Sequence, residues 1–355
     1  MSGSGANHRM LVLGTGFVGR YASERLIEHD DEEDEVGQVS GTCTSAAKKR
    51  ELEKIGIDAF IFDATKSKYD FLALLLSFFF ILCFLVHHLE NLGPYDFIPA
   101  NNSFHITLMT DLHTLKHATH LLISIPTIAG IGDPLLFSYE DLRNTLSHGN
   151  LRWLCYLSST SVYGDCGGAL VDEDYPANPK SESAKLRLAA EKGWSQLGSE
   201  LGLSVYIFRL GGIYGPGRSA LDTMVKRKSL SKGQKLRESR QYTARVHVAD
   251  IYQAIKASFK VPSSGRIYNV VDDDPASRAE VFAFARNLLE HRFPDMAKEF
   301  GDVSLPDLAS TEKKMHGEKR VSNARLKNEL GVRLLYPTYR SGLQSIFDSW
   351  SVDNY

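Results

Sequence analysis

Apolar stretches alternate with amphipathic stretches along the first half of the chain, and this alternation predicts a parallel sheet with helices on both faces. The apolar run 10–13 opens the pattern, followed by a glycine-rich turn and a helical stretch. The remaining segments with strand character are 36–44, 58–62, 118–125, 152–159, 204–209 and 266–271, and helical segments cover 46–55 and 179–201. The pattern therefore predicts a doubly wound α/β fold.

The turn after the first predicted strand reads Gly14-Thr15-Gly16-Phe17-Val18-Gly19. Glycines here leave no Cβ between a bound pyrophosphate and the N–H groups at the positive end of the following helix. A glycine motif alone is weak evidence, but this one lies between a predicted strand and a predicted helix. We expect all six residues to bind a dinucleotide.

We expect a dinucleotide-binding Rossmann domain over residues 7–209 and a smaller substrate-binding region over 210–355. After the turn Gly215-Pro216-Gly217 the chain becomes less regular and more basic. The predicted strand 266–271 returns to the main sheet. Because ligands of such sheets bind beyond the carboxyl ends of the strands, Asp63, Ser124 and Ser159 are expected in one crevice with the three glycines.

Residues 66–111 do not fit this fold, since a crossover between neighbouring strands needs only about a dozen residues. Within them, 71–86 carry no charge and are rich in Phe and Leu. A membrane-spanning helix needs about 17–25 apolar residues, so this run is short for a span. Three interpretations stay open: a retained intron, because uracil-rich sequence encodes Phe and Leu; a membrane helix; and a genuine buried or interfacial insert.

Charge and cysteine content narrow the partners and the compartment. The 355 residues carry a formal net charge of −2, which gives no reason to expect a nucleic acid or an anionic membrane as partner. The cysteines lack C-x-x-C spacing and no targeting peptide is visible, so we expect the cytoplasm or another reducing intracellular compartment. The histidines lack ligand spacing, and no metal site is expected.

Four motifs follow the glycine turn in a specific order. The predicted strand 152–159 leads into Ser159-Thr160-Ser161-Val162-Tyr163-Gly164, and RLGGIYGPGR (209–218), RVHVAD (245–250) and IYNVVD (267–272) come later. Order and spacing resemble the extended short-chain dehydrogenase/reductase superfamily, in its NAD-dependent epimerase/dehydratase group. The resemblance covers nearly the whole chain outside 66–111.

The resemblance implies roles for individual residues. Ser159 would polarise the substrate oxygen, Tyr163 and Arg218 would contact a small substrate of sugar type, and Asp63 would lie near the adenine amine. Ser124, expected in the crevice because of its place at a strand end, is a further candidate for contact with the cofactor. Members of the family often form homodimers, so a homodimer is a further expectation.

The family's Tyr-x-x-x-Lys motif is absent from the helix at 179–201. Alignment on Glu191 puts Ser183 at the tyrosine position and Arg187 at the lysine position, whereas a register two residues earlier gives Ser181 and Lys185. An aliphatic hydroxyl cannot titrate usefully as an activated phenol does, and arginine cannot pass a proton. Ser183 and Arg187 are thus the candidate catalytic residues of a degenerate motif.

Substitutes for the tyrosine are few. Lys185 would have to be buried to act as a proton donor. His247 titrates in the right range, but the motif that contains it is typical of a structural helix start.

The end of the second predicted strand bears on the choice of cofactor. An Asp or Glu at this point would hold the ribose hydroxyls of NAD. This chain has Thr44 and Ser45, followed by Lys48-Lys49-Arg50. Hydroxyls and cations suit a 2′-phosphate, so we expect NADP rather than NAD, held by Thr44, Ser45 and Lys48.

Two functional classes stay open. The first is an NADP-dependent oxidoreductase or epimerase-like enzyme with a degenerate motif, favoured by Ser159, Tyr163 and Arg218. The second is a non-catalytic NADP-binding sensor or scaffold, favoured by the missing tyrosine. Membrane association is expected only if 71–86 insert into a bilayer.

Overall fold

The computed structural model describes residues 8–28, 36–62, 113–225, 241–294 and 318–350 of the chain. The expectations for Asp63, for the segment 66–111 and for its apolar run 71–86 concern residues outside these ranges. None of the helices in the described ranges combines the length and apolar character needed to cross a membrane.

The strands of the described ranges are β1 (His8–Leu13), β2 (Val36–Cys43), β3 (Asp58–Ile61), β4 (His120–Ile123), β5 (Trp153–Ser159), β6 (Leu170–Val171), β7 (Ser204–Leu210), β8 (Gly212–Tyr214), β9 (Arg245–His247), β10 (Ser264–Val270) and β11 (Arg320–Val321). The helices are α1 (Phe17–Glu28), α2 (Ala46–Glu53), α3 (Tyr139–Ser147), α4 (Glu182–Leu201), α5 (Ala220–Val225), α6 (Val248–Ser258), α7 (Arg278–Arg292), α8 (Ala324–Leu330) and α9 (Tyr339–Asp348). The predicted segments differ from these by one to three residues at their ends.

Seven strands form one sheet in the order β10-β7-β5-β4-β1-β2-β3. Strand β1 is parallel to both of its neighbours, with Leu11 opposite Ser40 on β2 and Leu121 on β4. The β2–β3 and β7–β10 pairs are parallel as well. The strand order reverses direction at β1 and β4, which is the arrangement of a doubly wound α/β fold. The predicted fold class is confirmed.

The chain divides by its contacts into two compact units, Met1–Leu154 with Gln196–Leu203 and Cys155–Ser195 with Ser204–Tyr355. The boundary expected at residue 209 stays a prediction. Within the second unit, Tyr163 Oη donates to Asn269 Oδ1 at 2.8 Å and Asn269 N donates to Glu173 Oε1 at 2.8 Å. Residues between β5 and α4 are thereby held by the strand β10.

The first unit is built around strands that are apolar without alternation. Residues 10–13 of β1 and 121–123 of β4 are at most 1% exposed, as expected for parallel strands that are covered on both faces. Helix α2 begins at a cap in which Ser45 Oγ accepts the Lys48 N–H at 3.3 Å. It ends two residues before the predicted position, and Gly56, with a φ of +85°, turns the chain toward β3.

In the second unit, β10 pairs with β7, and two short parallel pairs, β6–β11 and β8–β9, lie outside the main sheet. Helices α5, α7 and α9 share one apolar core, whose largest members are Tyr214, Met224, Leu289, Tyr339 and Phe347. Helices α7 and α9 both begin at capping boxes, which fixes where each helix starts.

His247 is the N-cap of α6, and its Nδ1 accepts the Ala249 N–H at 3.2 Å. The structural role predicted for this residue is confirmed. The imidazole packs against the rings of Tyr214 and Tyr336, with centroids 5.2 and 4.1 Å away. Burial lowers the pKa of His247 to about 4.

We predict that the free energy of unfolding of His247→Asn falls less than that of the wild type when the pH is lowered from 7 to 5. An unfolded histidine has a pKa of about 6.5, so the neutral folded form stabilises the protein above that pH and loses its contribution as the pH falls toward 4. The wild type should lose about 2 kcal/mol from this residue between pH 7 and pH 5. Asn keeps a capping oxygen and does not titrate.

Urea unfolding of both proteins at the two pH values measures this difference. His120, whose pKa burial also lowers to about 4, stays in both proteins, so part of the acid limb should remain in the variant. Equal losses of stability in the two proteins would contradict the prediction.

Candidate active site

The turn between β1 and α1 in the first unit has the geometry of a dinucleotide-binding loop. Gly14 has a φ of +90°, and a Cβ there would lie 2.8 Å from Ile125 Cγ2. A Cβ on Gly19 would lie 2.2 Å from the Gly14 carbonyl oxygen, whereas one on Gly16 would meet no atom within 4 Å. Two glycines are thus required by the fold, and the middle one borders open space.

Thr42 of β2 holds this turn in place. Gly14 N donates to Thr42 Oγ1 at 2.8 Å, and both the amide and the hydroxyl of Thr15 donate to the Thr42 carbonyl at 2.9 Å. Thr15 is only 2% exposed. Both donors of Thr15 are thus used within the fold, and its predicted contact with a dinucleotide stays a prediction.

Helix α1 begins at Phe17, so its first amides lack acceptors within the helix. Gly16, Phe17 and Val18 then carry the N–H groups that an anion at this helix end would engage. The open space at Gly16 is a cradle that any Cβ would begin to fill. The turn therefore fits a pyrophosphate group.

The end of β2 offers hydroxyls and cations. Thr44 and Ser45 are exposed and Lys48 is half-buried. The Ser45 hydroxyl is already the cap of α2, but it retains its own proton for a further bond. Ser124, directly after β4, is half-buried, donates its N–H to the Leu13 carbonyl at 2.8 Å and lies beside Gly14.

In the second unit, a cavity of about 1040 Å³ contains the predicted residues Ser159, Ser183, Arg187 and Arg218 among its lining residues. Its cationic lining residues are Lys180, Arg187, Arg218, Arg245, Arg278 and Lys319, and its acidic ones are Asp165, Asp222 and Glu318. Asp222 accepts bonds from the amide and hydroxyl of Ser219. Positive charge therefore prevails in this cavity.

Ser159 lies at the last position of β5 and begins the short 3-10 turn Thr160–Tyr163. Its Oγ accepts the Ser161 N–H at 3.2 Å. Because a hydroxyl has one proton and two lone pairs, Ser159 can still donate a hydrogen bond. The residue thus meets the requirement for polarising an oxygen atom of a ligand in the cavity.

Helix α4 distinguishes the two registers of the degenerate motif. Ser183, Arg187 and Glu191 are spaced by four residues and share one face of the helix. Ser181, Ser183 and Arg187 all line the cavity, so the hydroxyls do not separate the registers, but Lys185 is exposed and is not among the lining residues. Arg187 Nη1 donates to Ser161 Oγ at 3.4 Å. The geometry favours the register with Ser183 and Arg187.

Glu191, Arg209 and Ser158 form a buried charged network one turn further along α4. Arg209 Nη2 and Nε donate to Glu191 Oε2 at 2.7 and 3.2 Å, and Ser158 Oγ donates to Glu191 Oε1 at 2.5 Å. The side chains of the ion pair are 3–4% exposed. This network joins α4 to the ends of β5 and β7.

Tyr163 is placed differently from the expectation. Its side chain is 1% exposed and does not line the cavity. The hydroxyl donates to Asn269 Oδ1, the Arg209 guanidinium lies 4.7 Å from the ring centroid, and burial raises the pKa of Tyr163. The structure thus gives Tyr163 a packing role beside the charged network, and its contact with a substrate stays a prediction.

Sequence reasoning missed the cavity residues that come from distant segments. Arg245 begins the motif RVHVAD (245–250), which predicts the start of a helix but not a cavity residue. Arg278 is the first residue of α7. Lys319 follows no motif at all, and nothing in the sequence near it indicates that it lies beside Gly164. No group of side chains in the described ranges could hold a metal ion.

The glycine turn at a helix start and the strand order define an NAD(P)-binding α/β protein of the Rossmann class. The chain belongs to the NAD dependent epimerase/dehydratase family, whose model matches residues 141–271. It is 31% identical over 229 residues to Protein YeeZ of Escherichia coli K12, which covers 64% of this chain and 75% of that protein.

Solved structures are similar over nearly their whole length. A functionally unknown conserved protein from Silicibacter pomeroyi is 27% identical, with a TM-score of 0.62 and coverage of 96% of this chain and 98% of that one. The dTDP-glucose 4,6-dehydratase of Bacillus anthracis, in complex with NAD, is 15% identical, with a TM-score of 0.62 and 96% of each chain covered. The second likeness shows the fold alone.

We predict that Glu191→Gln lowers the free energy of unfolding by about 3–5 kcal/mol, because it leaves the Arg209 charge buried without its partner. The double variant Glu191→Leu/Arg209→Met should recover most of this loss, since it removes both charges together. Urea unfolding of the three proteins measures the effect. A double variant that is less stable than the single one would contradict the prediction.

Proposed function

We propose that this protein is an NADP-dependent oxidoreductase or epimerase-like enzyme that acts on a small, anionic substrate of sugar type. The observation that carries the proposal is the glycine turn, in which Gly16 leaves open space at the start of α1. Residues 16–18 would hold the pyrophosphate, and the nicotinamide would supply or accept a hydride when bound. The cavity of the second unit would take the substrate.

The preference for NADP is argued from the end of β2. No carboxylate is present among residues 44–50, which follow this strand and include the first five residues of α2, and Thr44 and Ser45 are exposed there. Lys48, Lys49 and Arg50 lie in the first two turns of α2. Hydroxyl donors and cations would stabilise a 2′-phosphate, which carries about two negative charges near neutral pH.

The substrate class is argued from the charge of the cavity. Six cationic side chains line it against three carboxylates, one of which is engaged by Ser219. An anionic group would therefore be favoured over a neutral one. Among similar folds, the UDP-glucuronic acid 4-epimerase of Bacillus cereus was solved with an analogue of UDP-glucuronic acid and NAD. By this analogy we propose a sugar nucleotide as the first substrate class to test.

Three residues of the cavity would have different roles in binding and reaction. Ser159 would donate a hydrogen bond to the reacting oxygen. Arg187, one helical turn after Ser183, would hold ribose or phosphate oxygens through the guanidinium N–H groups that Ser161 does not occupy. Ser183 cannot act as an acid near neutral pH, so proton transfer would be slow.

A non-catalytic NADP-binding sensor or scaffold is the second candidate. It is favoured by Ser183, because an aliphatic hydroxyl occupies the position of the family's acid and base. For either candidate we propose a reducing compartment, because the thiols of Cys43, Cys155 and Cys166 are free.

Calorimetric titration with NADPH and NADH tests cofactor binding. We expect Gly16→Ala to weaken NADPH binding at least about tenfold while the melting temperature stays within a few degrees, because its Cβ meets only the ligand's space. Equal affinities of wild type and Gly16→Ala would contradict the placement of the pyrophosphate.

Selectivity is tested in the same experiment. Lys48→Ala should weaken NADPH binding and leave NADH binding unchanged. Lys54→Ala, which removes the same charge at the exposed end of α2, is the matched control and should change neither. If both lysine variants weaken NADPH equally, the effect is long-range charge and not a 2′-phosphate contact.

Catalysis is tested by restoring the missing motif. We expect Ser183→Tyr/Arg187→Lys to increase the conversion of a sugar nucleotide such as UDP-glucuronic acid by about 10²-fold, which is typical for a positioned general acid. Chromatographic separation of the products measures the rate. Ser181→Tyr, which completes a Tyr-x-x-x-Lys motif with Lys185 in the other register, is the control, because Lys185 is not among the cavity-lining residues.

If both variants convert the substrate at the wild-type rate, the missing tyrosine is not what limits the reaction. A wild type that already turns over and is slowed by the substitution would instead show that Ser183 and Arg187 form a working pair.

A further inference from the structure

One buried cation in the cavity has no assigned role. Lys319 is 6% exposed, and it lines the cavity of the second unit together with Ser159 and Ser183. Lysine is almost never fully buried unless it is paired, because the ammonium group loses its hydration. A buried ammonium on a cavity wall therefore needs an explanation.

The backbone around Lys319 is held firmly. The Glu318 carbonyl accepts the amides of Cys166 and Gly168 at 2.8 and 3.0 Å, and β11 pairs in parallel with β6 directly afterwards. The Arg320 guanidinium donates to the Gly168 carbonyl at 3.1 Å. The segment is thus fixed on both sides of Lys319, and the lysine enters the cavity wall from a rigid support.

The ammonium group is only partly satisfied by the protein. Nζ donates to the Gly164 carbonyl at 2.7 Å and to Glu318 Oε2 at 3.3 Å. An ammonium has three protons, and the described residues supply no third acceptor for Lys319. One N–H therefore remains for an acceptor that enters the cavity.

The cavity lacks the donor that the tyrosine would supply. Ser183 replaces the phenol with a much shorter side chain, and Arg187 already donates to Ser161. Gly164, which Lys319 contacts, ends the turn that begins at Ser159. Lys319 is thus anchored to the same turn that carries the proposed oxygen-polarising serine.

We propose that Lys319 is a substrate-binding residue, whose ammonium group donates a charged hydrogen bond to an anionic or carbonyl oxygen of the substrate. The inference rests on the proposed function of the cavity as the substrate site. A charge-assisted bond in a partly desolvated site is about twice as strong as a neutral one, so this contact would contribute strongly to affinity.

The proposal also limits the ligand. A substrate must bring an oxygen acceptor to Lys319, since a ligand without one would bury the N–H unsatisfied. Carboxylates, phosphates and carbonyl compounds meet this requirement, and hydrocarbons or amines do not.

Covalent trapping of the amine by an anionic aldehyde tests the proposal. The full-length protein is treated with pyridoxal 5′-phosphate, the imine is reduced with borohydride, and labelled lysines are identified by peptide mass mapping. We expect Lys319 to be labelled at least tenfold faster than Lys185. Lys185 is the matched control, because it is exposed on α4 and is not among the cavity-lining residues.

If Lys185 is labelled and Lys319 is protected, the proposal is overturned. Lys319 would then serve only to hold Gly164 and Glu318 together through its hydrogen bonds. Lys319→Arg should keep the melting temperature within a few degrees and lose the label at this site. Lys319→Met should lower the melting temperature if the tie is the main role, and that loss together with a protected Lys319 would also overturn the proposal.

The test separates this inference from the proposed function. Labelling of Lys319 requires no dinucleotide, and NADPH titration of the same preparation reports the glycine turn independently. If Lys319 is labelled in a protein that binds no NADPH, the result supports the proposed role of Lys319 in binding an anionic ligand. The same result contradicts the proposed function as an NADP-dependent oxidoreductase.

Discussion

The ion pair of Glu191 and Arg209 joins helix α4, which carries Ser183 and Arg187 of the proposed substrate site, to strand β7. Burying two charges costs much of what their attraction returns, so such a pair contributes little to net stability when both members are present. Its effect is positional. Glu191 also accepts from Ser158, immediately before Ser159, and Arg209 lies over the ring of Tyr163. One carboxylate thus sets the register of α4 against two strands and the turn that follows β5.

The parts of the fold that were predictable are those determined by local pattern. The apolar runs of β1 and β4 and the glycine turn follow from nearest neighbours in sequence, because a parallel buried strand and a tight turn have strong local requirements. The register of the degenerate motif stays a prediction, and the structure adds one observation that favours Ser183, which is that Arg187 lines the cavity and Lys185 does not. The helical period alone allows both registers, since each places its two residues four apart.

What could not be predicted depends on contacts between distant segments. Tyr163 looked like a substrate residue because of its motif, but its partner Asn269 lies on β10, and no local pattern indicates that bond. The same holds for Lys319, whose neighbour Gly164 is far away in the chain. Thr15 is a smaller case, since a threonine in a glycine turn gives no sign that Thr42 consumes both of its donors.

The late position of β11 has a consequence for how the second unit is made. Strand β6 ends at Val171, but its partner β11 begins at Arg320, so about 150 residues separate them. At a synthesis rate of about 5–20 residues per second, the ribosome delivers β11 roughly 7–30 s after β6. During that interval the β6 edge lacks its native partner, and the core that α9 completes is open. A nascent chain of this protein is therefore expected to expose apolar surface of the second unit until α9 emerges.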